Sequence, residues 1–152
     1  MDDLARRLSA EDVQKECYQG GWNIHACLCH VSTHGDSMVR VLKNAGFPAP
    51  ESDPALIALR GQWTGPNGFD LHGFNDAVAE ARRSMSVQEL AEALRRDHAK
   101  AVPFIKNLTP ADLEREVNPK VGPSPILGKA LEHMSSVENS HLDDVEAALR
   151  RA

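Results

Sequence analysis

Leu28-Cys29-His30-Val31-Ser32-Thr33 returns in the second half of the chain as Leu131-Glu132-His133-Met134-Ser135-Ser136. Ahead of each copy stands a second matched pair, Leu8-Ser9-Ala10-Glu11-Asp12-Val13 and Leu108-Thr109-Pro110-Ala111-Asp112-Leu113. Two related units, each with a histidine inside a helical stretch, can bring imidazoles from separate helices to one point in a bundle core. A metal site needs that convergence.

Working outward, helix signals dominate. Aromatic residues are 5% of the chain and no segment alternates in the β manner, so strands are not expected. Ser9-Ala10-Glu11-Asp12 reads as a cap for a short helix through about Tyr18, ended at Gly20-Gly21. The next helix is expected from Asn23 to Lys43 or Asn44, stopped by Gly46 and Pro48, with Cys27, Val31, Met38, Val41 and Leu42 on its apolar stripe. Residues 45–73 make a long crossover with one helical piece near 54–60, and Trp63 and Phe69 either pin it to the core or close over a pocket. A helix over 74–83 leads to the capping box Ser86-Val87-Gln88-Glu89 and a helix ending near Asn107, which Pro103 should kink or shorten. Thr109-Pro110 caps a short helix, 118–123 is a loop, and Ser124-Pro125 opens the last helix. Its stripe is Leu127, Ala130, Met134, Val137, His141, Val145 and Leu149.

The plan is helix pair, long crossover, helix pair: an all-α four-helix bundle in one domain over 1–152. Only Met1–Arg7 precede Leu8, so the first helix of the bundle is shortened. The seam this leaves should be covered by the 74–83 segment or by a second copy of the chain.

A net charge of −5, with arginine pairs scattered among acids, argues against nucleic acid as a partner. No apolar run could span a bilayer and the N-terminus has no secretory pattern, so the expectation is a cytoplasmic protein without membrane contact. Cys17, Cys27 and Cys29 are then thiols, either small buried hydrophobes or, beside His30, a reactive or metal-binding sulfur.

His30 and His34, four residues apart, share one helix face at a separation of about 6 Å. Both lie on the inward stripe, where a histidine needs hydrogen-bond partners or a metal. His141 is inward on the last helix, flanked by His133 and by Glu138, with which it makes a Glu-x-x-His pair. His25 and His72 are read as solvent-facing, and His98 stands close to the inner stripe. No nucleophile triad order, phosphate loop or dinucleotide fingerprint occurs elsewhere.

Gly21-Trp22-Asn23-Ile24, with His30 following the tryptophan, resembles the start of helix two in DinB-like proteins. It is most similar to the N-terminal domain family of mycothiol-dependent maleylpyruvate isomerases. Leu131-Glu132-His133 and Val137-Glu138-Asn139-Ser140-His141-Leu142-Asp143-Asp144-Val145 resemble that family's final metal-binding helix. The resemblance implies a divalent metal, zinc or nickel, held by three side chains, and a homodimer. It also implies a thiol-dependent transferase or isomerase that acts on a small-molecule substrate with a low-molecular-weight thiol. His30 and His141 match the first and last ligands, and the middle position falls on Val137. The third ligand is then His34, one turn along from His30, or else Glu138 or His133. The rival readings are a metal-free protein that binds or sequesters a small reactive metabolite, and a dimeric scaffold without a small-molecule site.

Overall fold

The computed structural model describes residues 1–17, 21–66, 68–118 and 123–151. Its helices are α1 (Asp2–Arg7), α2 (Ile24–Val31), α3 (His34–Asn44), α4 (Pro54–Gln62), α5 (Leu71–Ala81), α6 (Val87–Ile105), α7 (Pro110–Leu113) and α8 (Leu127–Arg150). A two-stranded antiparallel hairpin, β1 (Thr64–Gly65) with β2 (Gly68–Phe69), stands in the crossover. No described helix is long and apolar enough to cross a membrane.

The stretch expected as one helix over 23–44 is two helices, broken at Ser32-Thr33. The Ser32 hydroxyl donates to the Cys29 carbonyl at 2.6 Å and the Thr33 hydroxyl to the His30 carbonyl at 2.8 Å. The Thr33 amide also turns to the His30 carbonyl, three residues back rather than four. Hydroxyls that bond back to a helix compete with its own ladder, and here two adjacent ones interrupt it. At the far end the expected stop holds. Gly46 has φ of +87°, its amide bonds the Lys43 carbonyl, and the Phe47 amide bonds the Leu42 carbonyl, the Schellman pattern that needs a left-handed residue.

The bundle is built on α2–α3, α6 and α8. One apolar cluster joins Ile24, Leu28 and Val31 to Leu90, Leu94 and Val145, and another joins Val39, Val41 and Leu42 to Ala101, Leu127 and Ala130. Cys27 reaches the His141 carbonyl, while Met38 shares a cluster with Met134, so α8 runs antiparallel to α2–α3. The first helix is indeed short: α1 buries Leu4 and Ala5 against α6, and Gln88 donates to the Ala5 carbonyl. The crossover covers the rest of the seam. α5 lies on α2, with the Trp22 indole N–H donating to Asp76 at 2.8 Å.

The internal repeat is visible in the backbone. Ser9 and Asp12 cap each other reciprocally, amide to side chain in both directions, and Thr109 and Asp112 do the same. An isolated antiparallel bridge follows in each unit, Glu16 with Asn23 and Glu116 with Ile126. In each, a further amide enters the next long helix, Ile24 to the Lys15 carbonyl and Leu127 to the Arg115 carbonyl. The second bridge explains why α8 begins at Leu127 and not at Ser124-Pro125: the Pro125 carbonyl is held extended by the Val117 amide.

Other boundaries differ in detail. The helix expected after Ser9 is a single 3₁₀ turn over Asp12–Gln14, and its expected end at Tyr18–Gly20 lies outside the described residues, as does most of the 118–123 loop. α6 carries Pro103 inside it and ends at Ile105. Trp63 pins the crossover, packing on Gly73, where an added Cβ would stand 2.2 Å from the ring.

α3 and α6 approach closely at Gly35. A Cβ there would stand 2.8 Å from the His98 amide nitrogen and 2.9 Å from the Asp97 Cβ. Gly35→Ala gains about 0.5–1 kcal/mol of helix propensity but faces about 1–3 kcal/mol of overpacking against backbone. A net loss in urea-unfolding free energy is expected, and an unchanged or raised midpoint would show that the helices do not meet here.

Candidate functional site

His30 closes α2 and His34 opens α3, so the break at Ser32-Thr33 lies between them. Their Nε2 atoms are 3.1 Å apart. His141 enters from α8, its ring centroid 5.0 Å from that of His30 and 5.9 Å from that of His34. One nitrogen from each of the three lies within 4.8 Å of the others, a group that could hold a metal ion. Trp22 backs His30 with ring centroids 5.5 Å apart, so the tryptophan of the Gly21-Trp22 motif both braces the site and ties α2 to α5.

Burial sets the protonation of these rings. His30 and His34 are each 8% exposed. Desolvation, with help from the neighbouring imidazoles, holds His30 down to about 4 and His34 to about 3. Burial lowers His141 too. All three are neutral at pH 7 and keep a lone pair for a ligand. Nδ1 of His30 and of His34 is buried without a hydrogen-bond partner among the described residues. The donor set therefore fits a metal: two nitrogens on one tetrahedral zinc stand ~3.3 Å apart, close to the His30–His34 separation, and neutral imidazoles suit zinc, nickel or copper.

The other candidates fall into place around this group. Glu138, a sequence alternative for third ligand, accepts from His98 Nε2 at 3.1 Å and stands 3.9 Å from His34 Nδ1. It sits behind His34, within ion-pair range but too far for a hydrogen bond. That hydrogen bond raises the His98 pKa, opposed by burial. His133 is exposed and lines the cavity in front of the site, and Val137 lines it as well. His72 is exposed as expected, but on the first turn of α5. His25 departs from expectation. It is half-buried, bonded through Nε2 to the Met85 carbonyl at 2.8 Å and facing the Cys29 sulfur at 3.5 Å through Nδ1.

The cysteines are packing residues. All three are free and buried. Burial pushes the Cys29 thiol up to about 11, with Arg82 opposing, and its contact with Cys27 lowers Cys17 while raising Cys27. A protonated thiol turned toward His25 is no nucleophile beside His30.

In front of the histidines lies a cavity of about 830 Å³, the size of a small-molecule site. The middle of the α8 stripe, Met134, Val137 and His141, forms one wall, and Phe69, Leu71 and Phe74 of the crossover form another. Trp63 is not among the described lining residues, so the aromatics that shape this wall are Phe69 and Phe74. Sequence reading missed Arg40, Arg60 and Asn75, which also line it. Arg40 follows His34 and Ser37 at three-residue steps on α3, and that spacing was the available signal. Asn75 Oδ1 is buried with no hydrogen-bond partner among the described residues.

The depressed histidines make a pH prediction for the metal-free chain. Below pH 6.5 the unfolded chain binds protons at positions 30 and 34 that the folded chain refuses. Stability is therefore complete above about pH 6.5 and falls as pH drops toward 4, by roughly 1 kcal/mol per pH unit for each histidine. Urea unfolding of chelator-treated protein should show this slope, and His34→Leu should flatten it. Equal slopes in the two proteins would mean that His34 titrates normally.

The model of the DinB superfamily matches residues 1–145, and no curated protein or solved structure matches the chain. The chain belongs to the DinB superfamily.

Proposed function

From that membership we propose that the chain is a divalent-metal-dependent enzyme acting on a small molecule, with His30, His34 and His141 as the three protein ligands. One observation carries the reading. Three imidazoles, kept neutral by burial and drawn from both halves of the repeat, converge at the wall of a cavity large enough for a substrate. A divalent ion held there supplies Lewis acidity that lowers the pKa of a thiol or water and stabilises the anion at neutral pH. Zinc or nickel fits the all-nitrogen donor set. The reaction class proposed is transfer or isomerisation assisted by a low-molecular-weight thiol, with that thiol supplied from outside because the chain's own cysteines are buried.

The chain's residues supply the rest. Val137 and Met134 keep the approach apolar, and Trp22 shields the back of His30 from water. Glu138, held by His98, stands 3.9 Å behind His34, where a small shift on ligand binding would let it accept from Nδ1 as a positioning residue. Val137 replaces the polar residue expected one turn before His141, and His34 provides the third nitrogen from the opposite helix.

A second reading rests on the His30–His34 contact. At 3.1 Å one imidazole donates to the other, so the pair is partly satisfied without an ion. This favours a metal-free pocket that binds or sequesters a reactive small molecule.

Elemental analysis of protein purified without added metal separates the two. About one divalent ion per chain is expected, with His30→Ala, His34→Ala and His141→Ala each cutting retention by about tenfold or more. A folded wild-type protein with no stoichiometric metal, which also fails to take up zinc or nickel on titration, would leave the second reading standing.

A further inference from the structure

The cavity has a cationic end that the histidines do not explain. Arg40 of α3 and Arg60 of α4 both line it, and both also line an adjoining recess of about 320 Å³, with Thr33, Ser37, Thr64 and Phe74 shared between the two spaces. Among the described lining residues of the larger cavity there is no Asp or Glu. Two arginines thus line one cavity in a chain whose net charge is −5.

Arg60 is placed by its faces and leaves its edge for other work. Its guanidinium lies 3.8 Å over the Phe69 ring and 5.3 Å from the Phe74 ring. Stacking uses the face of the guanidinium plane, while its N–H donors point outward in the plane, the geometry that receives an oxyanion with two parallel bonds. The neighbouring acid, Asp36, favours the charged form of both arginines. Asp36 lines the recess only, is buried, and accepts the Asp53 amide at 2.7 Å. Burial lowers the Arg40 pKa to about 10, with the charge of Arg60 acting the same way, so these cations feel each other at short range. Each would gain from a shared anion.

Position along α3 sets the length of the ligand. His34, Ser37 and Arg40 recur at three-residue steps and all line the cavity. Six residues of helix rise ~9 Å, which separates the backbone of Arg40 from that of His34 along the helix axis. The space between is walled by Phe69, Phe74, Met134 and Val137.

We infer that this cavity takes an elongated small molecule whose oxyanion group, carboxylate or phosphate, is held between Arg40 and Arg60 while its apolar body extends toward the histidine cluster. The inference deepens the proposed function by naming the substrate class, and it rests on that reading for the reaction but not for the binding.

Binding of eight-carbon probes to the full chain, as purified and after chelator treatment, tests it. Octanoate, octyl phosphate, octanol and octylamine share a chain and differ only in head group. In the chelator-treated protein at least one oxyanion probe should bind about tenfold tighter than octanol or octylamine, and Arg60→Gln should remove that preference. Preference between octanoate and octyl phosphate tells which oxyanion the site takes. Equal binding of all four head groups by the wild-type chain would overturn the inference, and so would an Arg60→Gln and Arg40→Gln pair that folds and keeps the oxyanion preference. Should the arginine variants fail to fold, the head-group comparison in the wild type decides alone. Metal content measured on the same samples keeps the outcomes apart. Oxyanion preference without metal sinks only the enzyme reading, and metal without oxyanion preference sinks only this one.

Discussion

Two hydroxyl-to-carbonyl bonds, from Ser32 to Cys29 and from Thr33 to His30, set the geometry on which the site depends. In an unbroken helix the Cys29 carbonyl would accept the Thr33 amide. Here the Ser32 hydroxyl takes that carbonyl, and the helix restarts at His34 with the Ser37 amide bonding the Thr33 carbonyl. The break is buried and must be paired to be tolerated. Arg82 meets that need from the crossover side, donating to the Ser32 hydroxyl at 2.5 Å and standing 3.9 Å from Asp53, whose amide bonds Asp36. The same network that bends the helix therefore also fastens the crossover, so the cavity wall and the histidine pair share one support.

Much of this frame was legible in the residue order, for identifiable reasons. Periodicity located α8 and its stripe, and the capping boxes at Ser86 and Thr109 marked helix starts because their reciprocal bonds need only local residues. His30, His34 and His141 were legible because apolar spacing put all three on inward faces. The break at Ser32-Thr33 was not legible. Both residues are acceptable in a helix, and only tertiary partners such as Arg82 decide that their hydroxyls turn inward. The cavity-lining arginines were hidden for a related reason. A long cationic side chain on a helix normally reads as a solvated face, and burial of Arg40 and Arg60 becomes visible only once the crossover folds over them. His25 was misread because its partner, the Met85 carbonyl, belongs to a distant turn.

The repeat frames the site without duplicating it. Aligned through their matched bridges, His30 corresponds to His133, His34 to Val137, and Met38 to His141. One unit supplies two imidazoles and the other supplies one, from positions that are not equivalent. The first unit's long helix is broken where the second unit's is continuous, and His30 and His34, on either side of that break, stand 3.1 Å apart. A related pair of units thus yields one cluster, with His133 left at the exposed rim of the cavity.

The cavity is polarised along its length. Behind the histidines stands the Glu138 carboxylate, held by His98, while Arg40 and Arg60 occupy the other end. In a partly shielded cavity such a separation acts on a ligand more strongly than the same charges at the surface. Neutral imidazoles offer an incoming anion little attraction, and the carboxylate behind them opposes it. The guanidinium groups attract it, and Arg60 is already fixed on Phe69 and Phe74, so little side-chain entropy is lost on binding. In the metal-free chain, charge placement therefore favours a ligand whose anionic end lies at the arginines and whose apolar end lies toward the histidines, and a divalent ion at the histidines would add a second attraction for anions.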